Sequence, residues 1–229
     1  AGITIARELA NAGLKIVLLE AGGFEYSEES QQNYAGTESG ISTYNLALKR
    51  GRLRYFGGTS NHWSGMCGIF DESDFWPERY HALPGWPIQR EVVLAHLQDA
   101  ANILDLKKID FSPLSYGNPR WLPFEQRTTA MSPPTRFGAK YRNAILQSPN
   151  IDLFTNANVV DLHLEQSEGE SPRMDYAVVS NYRKEKSYVR ARRFVLALGS
   201  IENARALLNS NKQIPGGIGN HSGFLGQCY

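Results

Sequence analysis

Residues 2–20 constrain the fold more than any other stretch of the chain, because they place a helix directly before a short apolar strand. Between Gly2 and Gly13, Ile5, Ala6, Leu9 and Ala10 fall on one side of a helix, with Ile3 also apolar, and Gly13 is a stop signal. Leu14 to Glu20 follows as a run rich in branched apolar residues, which reads as a buried parallel strand. Helix then buried strand is the second half of a βαβ unit, and its first strand would lie upstream of Ala1. A central strand missing from a parallel sheet would leave apolar edges, so residues 1–229 alone are expected to be poorly soluble.

The rest of the chain fits an α/β fold with an insertion. From Gly23 to about Arg52 it is polar and irregular, with Gly36 and Gly40 breaking any periodicity, and a glycine-dense segment runs from Arg52 to Gly68. Residues 76–135 are turn-rich, with prolines at 77, 84, 87, 113, 119, 123, 133 and 134 around one expected helix, about Glu91 to Leu104. We read this stretch as inserted, which puts the expected domain limits at 1–75, 76–135 and 136–229. Beyond it the pattern predicts a helix near Phe137 to Leu146 and strands at Asp152–Thr155 and Val159–Leu164. An alternating pair at about Asp175–Tyr182 and Ser187–Phe194, an apolar strand Phe194–Leu198 and a helix Ile201–Asn209 complete the reading.

Composition excludes several classes. A net charge of +1 over 229 residues offers no electrostatic pull toward nucleic acid or an anionic membrane. The cluster Arg190, Arg192 and Arg193 reads as the solvated face of a strand. No apolar run approaches the roughly 20 residues of a membrane span. Cys67 and Cys228 make neither a disulfide framework nor a metal-ligand spacing, and His81, His96, His163 and His221 lack companions, so no metal is expected. The chain opens without Met in what reads as mid-helix, which leaves a cytoplasmic and a periplasmic location both open.

Chemistry enters at the first helix. A dinucleotide is held where a helix N-terminus offers free N–H groups and a positive dipole end to a pyrophosphate, with an acidic residue about 20 positions on for the ribose hydroxyls. Gly2 fits the third glycine of such a fingerprint and Glu20 fits the acid; the alternative is an ordinary helix–strand unit with Glu20 at the surface. The segment Arg54 to Gly65 is more specific. Gly57 and Gly58 let the chain pass close under a flat or phosphorylated ligand, Thr59 and Ser60 add short donors, and His62 with Trp63 sets a polar ring beside an aromatic wall. A β-turn with core aromatics is the plainer alternative.

This segment, Arg54-Tyr-Phe-Gly-Gly-Thr-Ser-Asn-His-Trp-Ser-Gly65, resembles the glycine-rich signature of the glucose–methanol–choline (GMC) oxidoreductases, in the variant of their pyranose oxidase-like and sugar-dehydrogenase members. Other stretches resemble the family in the same order. Leu19 to Gly23 is similar to the strand end at the adenosine ribose, which brings in Ala21, and Gly85 to Ile88 to the entry into the cap region. Asn156 to Val159 is similar to the strand whose valine backbone meets adenine. Val195 to Ala204, with Ala197, Gly199 and Asn203, is similar to the strand–turn–helix under the flavin, and Gly217 to Gly226 to the exit toward a substrate domain. Asn203-Ala204 stands where many members carry Ser-Pro, and Trp63 where Asn or His is usual; both departures point to the sugar-oxidising branch.

The resemblance implies a Rossmann-like FAD-binding domain with a parallel sheet, an antiparallel β-meander and an inserted partial cap. It implies FAD as cofactor and hydride transfer from a CH–OH group, a secondary hydroxyl of a sugar, glycoside or polyol, to flavin N5. Choline or a simple alcohol is the alternative donor, a catalytically dead fragment the alternative product, and oxygen, quinone or cytochrome the acceptor. In similar members a histidine at the position of His62 can carry the flavin covalently; packing or hydrogen bonding against the ring is the alternative. Cys67 lies near the flavin or is a buried bystander. The family's catalytic His–His or His–Asn pair is expected beyond Tyr229, so no catalytic residue is assigned within this chain.

Overall fold

The computed structural model describes residues 1–37, 39, 48–77, 85–107, 109, 111, 128–165 and 171–227, so His81, Cys228 and several of the prolines lie outside the described residues. In chain order the elements are α1 (Gly2–Asn11), β1 (Ile16–Leu19), α2 (Glu28–Gln31), β2 (Met66–Cys67), α3 (Arg90–Leu94), α4 (Leu97–Ile103) and β3 (Ala130–Met131). They continue with α5 (Phe137–Gln147), β4 (Ile151–Phe154), β5 (Asn158–Glu165), β6 (Arg173–Ser180), β7 (Lys186–Arg190) and α6 (Ser200–Asn209). The fold is mixed α/β, with one parallel and two antiparallel sheets among the described residues, and the chain divides into two compact units. The first holds Ala1–Asn61 and Phe137–Tyr229, the second His62–Arg136.

In the first unit β1 and β4 pair in parallel, Ile16 opposite Ile151 through Leu19 opposite Phe154. Side chains alternate across the pair. Ile16, Leu18, Ile151 and Leu153 face the helices α1 and α5, whose Ile3, Ala6, Ala10, Tyr141 and Ile145 are buried, Ile145 completely. Two expectations change here. The buried face of α1 is the Ile3, Ala6, Ala10 stripe, with Ile5 and Leu9 each 36% exposed, because α5 and the strands meet the helix on that side. The strand after it is covered on one face only, and Val17 and Phe154 stand exposed on the other.

Strand β1 has one neighbour, β4, among the described residues, and Val17 stands 44% exposed on the uncovered face. The Val17→Lys variant is expected to lower self-association in sedimentation or light scattering, with stability changed by under about 0.5 kcal/mol, as for exposed positions generally.

The meander β5–β6–β7 is antiparallel throughout. The expected pair is present, its limits shifted toward the N-terminus because Asn181 to Glu185 forms the turn. There the Asn181 side chain accepts from the N–H groups of Arg183 and Glu185, and Lys184 takes φ 64°. Leu162, Leu164, Ala177 and Ile218 form its core, with Phe194, Leu196, Leu207 and Ile214 packed alongside. The run 194–198 therefore serves as packing and enters no ladder, contrary to the expected strand. The outer edge of β5 is closed by side chains: Ser210 Oγ accepts the Leu162 N–H (3.0 Å), and the Gln213 amide pairs with both the N–H and the carbonyl of Leu164 (2.8 Å each).

In the second unit Gly65, at φ 91°, opens the short β2–β3 pair, and a methyl there would sit 2.3 Å from Ser132 O. The single helix expected from Glu91 to Leu104 is two, α3 and α4. The ladder tightens at His96, whose N–H bonds Val93 O at 3.1 Å, and α4 restarts with His96 as its N-cap. Phe75 packs edge-on against Phe70 and Trp86, and Phe75 and Trp86 line an open depression of about 410 Å³ with Trp76, Ile88 and Arg90.

Candidate active site: the glycine turn and two helix starts

Four stretches distant in sequence meet inside the first unit. Helix α1 starts at Gly2 without a side-chain cap, and a methyl on Gly2 would lie 3.4 Å from Ala197 Cβ. Two residues past Ala197, Gly199 caps α6 at φ 89°, again with no side-chain bond, and a methyl there would meet nothing within 4 Å. Asn203 fixes this turn: its Oδ1 accepts the Leu198 N–H at 2.9 Å and its own N–H bonds Gly199 O at 2.8 Å. Neither helix start has a side-chain cap among the described residues, and each presents the positive end of a helix dipole.

Glu20 follows β1. Its N–H bonds Phe154 O (2.9 Å), its carbonyl accepts from Ala157 (2.9 Å), and its Oε1 accepts the Gly22 N–H (2.8 Å). Burial pushes the Glu20 carboxyl above the usual carboxylate range, against the pull of the Gly22 N–H, the Arg54 guanidinium and the Ala21 N–H. A carboxyl raised in this way holds its proton more tightly when folded. Its contribution to stability is thus full below the unfolded value and is lost as pH rises through the folded one. Melts of wild type and Glu20→Gln across pH should show the wild type gaining on the variant as pH falls from neutral into the acid range. A difference that does not vary with pH would refute the assignment.

The turn after Glu20 is joined to the glycine segment. Phe56 N–H bonds Gly23 O at 2.9 Å, and Gly22 packs so tightly that a methyl would sit 2.2 Å from Arg54 O. The glycine segment itself is a closed turn. Gly58 N–H bonds Tyr55 O (2.7 Å), Ser60 Oγ donates to Gly57 O (2.6 Å), Asn61 Nδ2 to Phe56 O (3.0 Å), and Thr59 Oγ1 accepts from Leu53 (3.2 Å). Gly57 has φ 98°, and a methyl on it would strike Gly138 of α5, 2.5 Å from its N; a methyl on Gly58, at φ 57°, would make only an ordinary contact, 3.8 Å from Leu53 O.

His62 and Trp63 open the second unit. His62 is exposed, while Trp63 is half-buried, with Nε1 donating to Thr135 O at 2.8 Å and its own carbonyl accepting from Arg136 at 2.9 Å. Cys67, half-buried, lies 3.3 Å from Gly65 O. Val159 sits in β5 opposite Val179, at the bulge before Asp161. Among the described residues no group of His, Cys, Asp or Glu could hold a metal ion, and no helix is long and apolar enough to cross a membrane.

Sequence reasoning overlooked a polar layer behind these residues. Arg52 reaches Glu202 Oε1 at 2.7 Å while Arg205 holds Oε2 at 2.5 Å, and Glu202 is only 8% exposed. Ser30 and Gln31, both buried, bind the 49–54 backbone: Ser30 Oγ donates to Arg54 O (2.8 Å) and Gln31 Oε1 accepts from Arg54 N–H (3.0 Å). Their helix α2 had a local signal, Ser27 before Glu28 and Glu29, and Ser27 Oγ does accept the Ser30 N–H.

No protein-family model matches the chain, and no curated protein matches it. The solved structures it is similar to include pyridoxine 4-oxidase from Mesorbium loti, at a TM-score of 0.48 and 17% identity. That match covers 90% of this chain and 49% of the other, so the chain spans about half its length.

Proposed function

We propose that this chain is the FAD-binding part of an oxidoreductase acting on the CH–OH group of a small alcohol or carbohydrate. The observation that carries the reading is the join between the turn after Glu20 and the glycine segment, made by Phe56 N–H on Gly23 O and by Gly22 packed on Arg54, with the glycine-opened start of α1 packed on Ala197. Its chemistry fits the cofactor. The uncapped starts of α1 and α6 supply N–H donors for a pyrophosphate, with room in front of Gly199, and the Glu20 carboxylate is an acceptor for ribose hydroxyls.

In this reading Gly2 attends the pyrophosphate and Glu20, Ala21 and Val159 the adenosine. Gly57, Gly58, Thr59, Asn61, His62 and Trp63 are assigned to the flavin, as are Ala197, Gly199 and Asn203. Residues 76–135 form an inserted region. A bound flavin supplies hydride acceptance; the chain supplies binding and orientation. The resemblance of Trp63 and the Asn203-Ala204 pair to the sugar-oxidising branch of the GMC oxidoreductases favours a secondary hydroxyl of a sugar, glycoside or polyol as the donor.

Titration of the protein with FAD, followed by flavin fluorescence and absorption, tests the reading, with NAD as the comparison. Saturable binding of FAD and none of NAD is expected; equal binding of both, or of neither, defeats it. Acid precipitation of the loaded protein then reports on His62: flavin retained in the pellet and released in His62→Ala establishes a covalent bond, and flavin left in solution excludes one.

A further inference from the structure

We infer that Arg54 is a positioning residue for the adenosine end of the cofactor, holding the turn after β1 and the start of β5 at a fixed spacing through its guanidinium. The inference rests on the FAD reading above. Arg54 Nη2 donates to Asn158 Oδ1 at 2.7 Å, and Nη1 to Tyr182 Oη at 2.9 Å and Ser30 Oγ at 3.3 Å. Tyr182 in turn donates to Ala21 O at 2.9 Å, and Asn158 Nδ2 donates to Ser180 O at 3.0 Å. One planar group thus links α2, the Glu20–Gly22 turn and the first residue of β5. The last two are the stretches assigned to ribose and adenine.

Arg54 is itself placed from both sides of its backbone, its N–H bonding Gln31 and its carbonyl accepting from Ser30. A lysine carries one ammonium and cannot reproduce a fork that serves Asn158 and Tyr182 together. The guanidinium also acts on Glu20, whose charged and titratable neighbours among the described residues include Arg54, Tyr34 and Tyr182. By opposing the effect of burial it keeps the Glu20 carboxyl ionised, and so an acceptor for ribose hydroxyls, to lower pH.

The test uses the whole chain, with FAD and AMP as probes, calorimetric affinities across pH, and melts of each variant. Arg54→Met is expected to weaken FAD and AMP by about tenfold or more, one such factor being a single hydrogen-bonded interaction's worth. It should also raise the pH below which AMP affinity falls away. Tyr182→Phe, which keeps the charge but cuts the tie to Ala21, is expected to weaken both ligands without moving that pH. Wild-type affinity in either variant overturns the inference, as does an Arg54→Met loss with an unmoved pH dependence, which would mark a merely structural role. A wild-type chain that binds neither probe fails the FAD reading itself, and the inference falls with it.

Discussion

Gly57→Ala should cost about 3–5 kcal/mol of stability, with a fall in Tm of roughly 10 °C, measured by denaturant titration and thermal melts. Two causes add. At φ 98° an L side chain is strained, and the new methyl would lie 2.5 Å from Gly138 N and 2.7 Å from its Cα. Backbone atoms in the middle of a packed unit cannot give way as a flexible side chain can. The reciprocal Gly138→Ala, whose methyl would sit 2.2 Å from Phe56 O, should cost about 2–4 kcal/mol although alanine is the better helix former by about 1 kcal/mol. The double variant should cost less than the sum, since one methyl already separates the two backbones. Gly58→Ala meets nothing closer than 3.8 Å and should lose only the left-handed penalty, about 1–2 kcal/mol. Equal losses at 57 and 58 would show that packing against α5 is not what selects Gly57.

The second large effect is expected at Glu202. Glu202→Ala leaves Arg52 and Arg205 without their shared carboxylate, and the Arg52 side chain is 18% exposed, so its charge is left largely out of water. Removing one partner of a buried pair costs about 3–5 kcal/mol; with Arg205 45% exposed and able to hydrate, about 2–4 kcal/mol is expected here. Arg52 also lies 4.1 Å over the Tyr34 ring, a contact the variant retains. The double replacement Arg52→Met with Glu202→Leu should recover to within about 1 kcal/mol of wild type, because apolar residues of similar volume pay no desolvation. If Glu202→Ala melts like wild type, the pair is solvated and does not tie α6 to the segment before the glycine turn.

What could be read from the sequence was local or periodic. The helices at 2, 137 and 201, the meander strands and the glycine turn all announce themselves within a few residues. The face of α1 did not, because Ile3, Ile5, Ala6, Leu9 and Ala10 surround much of the helix and the packing of α5 and the strands decides which of them is buried. Nor did the exposure of Val17, since four apolar residues in a row look alike whether one face or both are covered. The Arg52–Glu202 and Arg54–Tyr182 contacts join residues far apart in the chain, where no periodicity reaches. Gly57 was visible as a glycine, but its need for one arises at Gly138.

The Gly57–Gly138 contact has a topological consequence. Residues 58–61 coil against α5, so Asn61 and Phe137, the last and first residues on either side of the 62–136 excursion, leave and re-enter the first unit at one place. The host seals the mouth of the excursion by itself. Lengthening, trading or excising what hangs from it would then add little closure entropy, about 0.6 kcal/mol for each doubling of length.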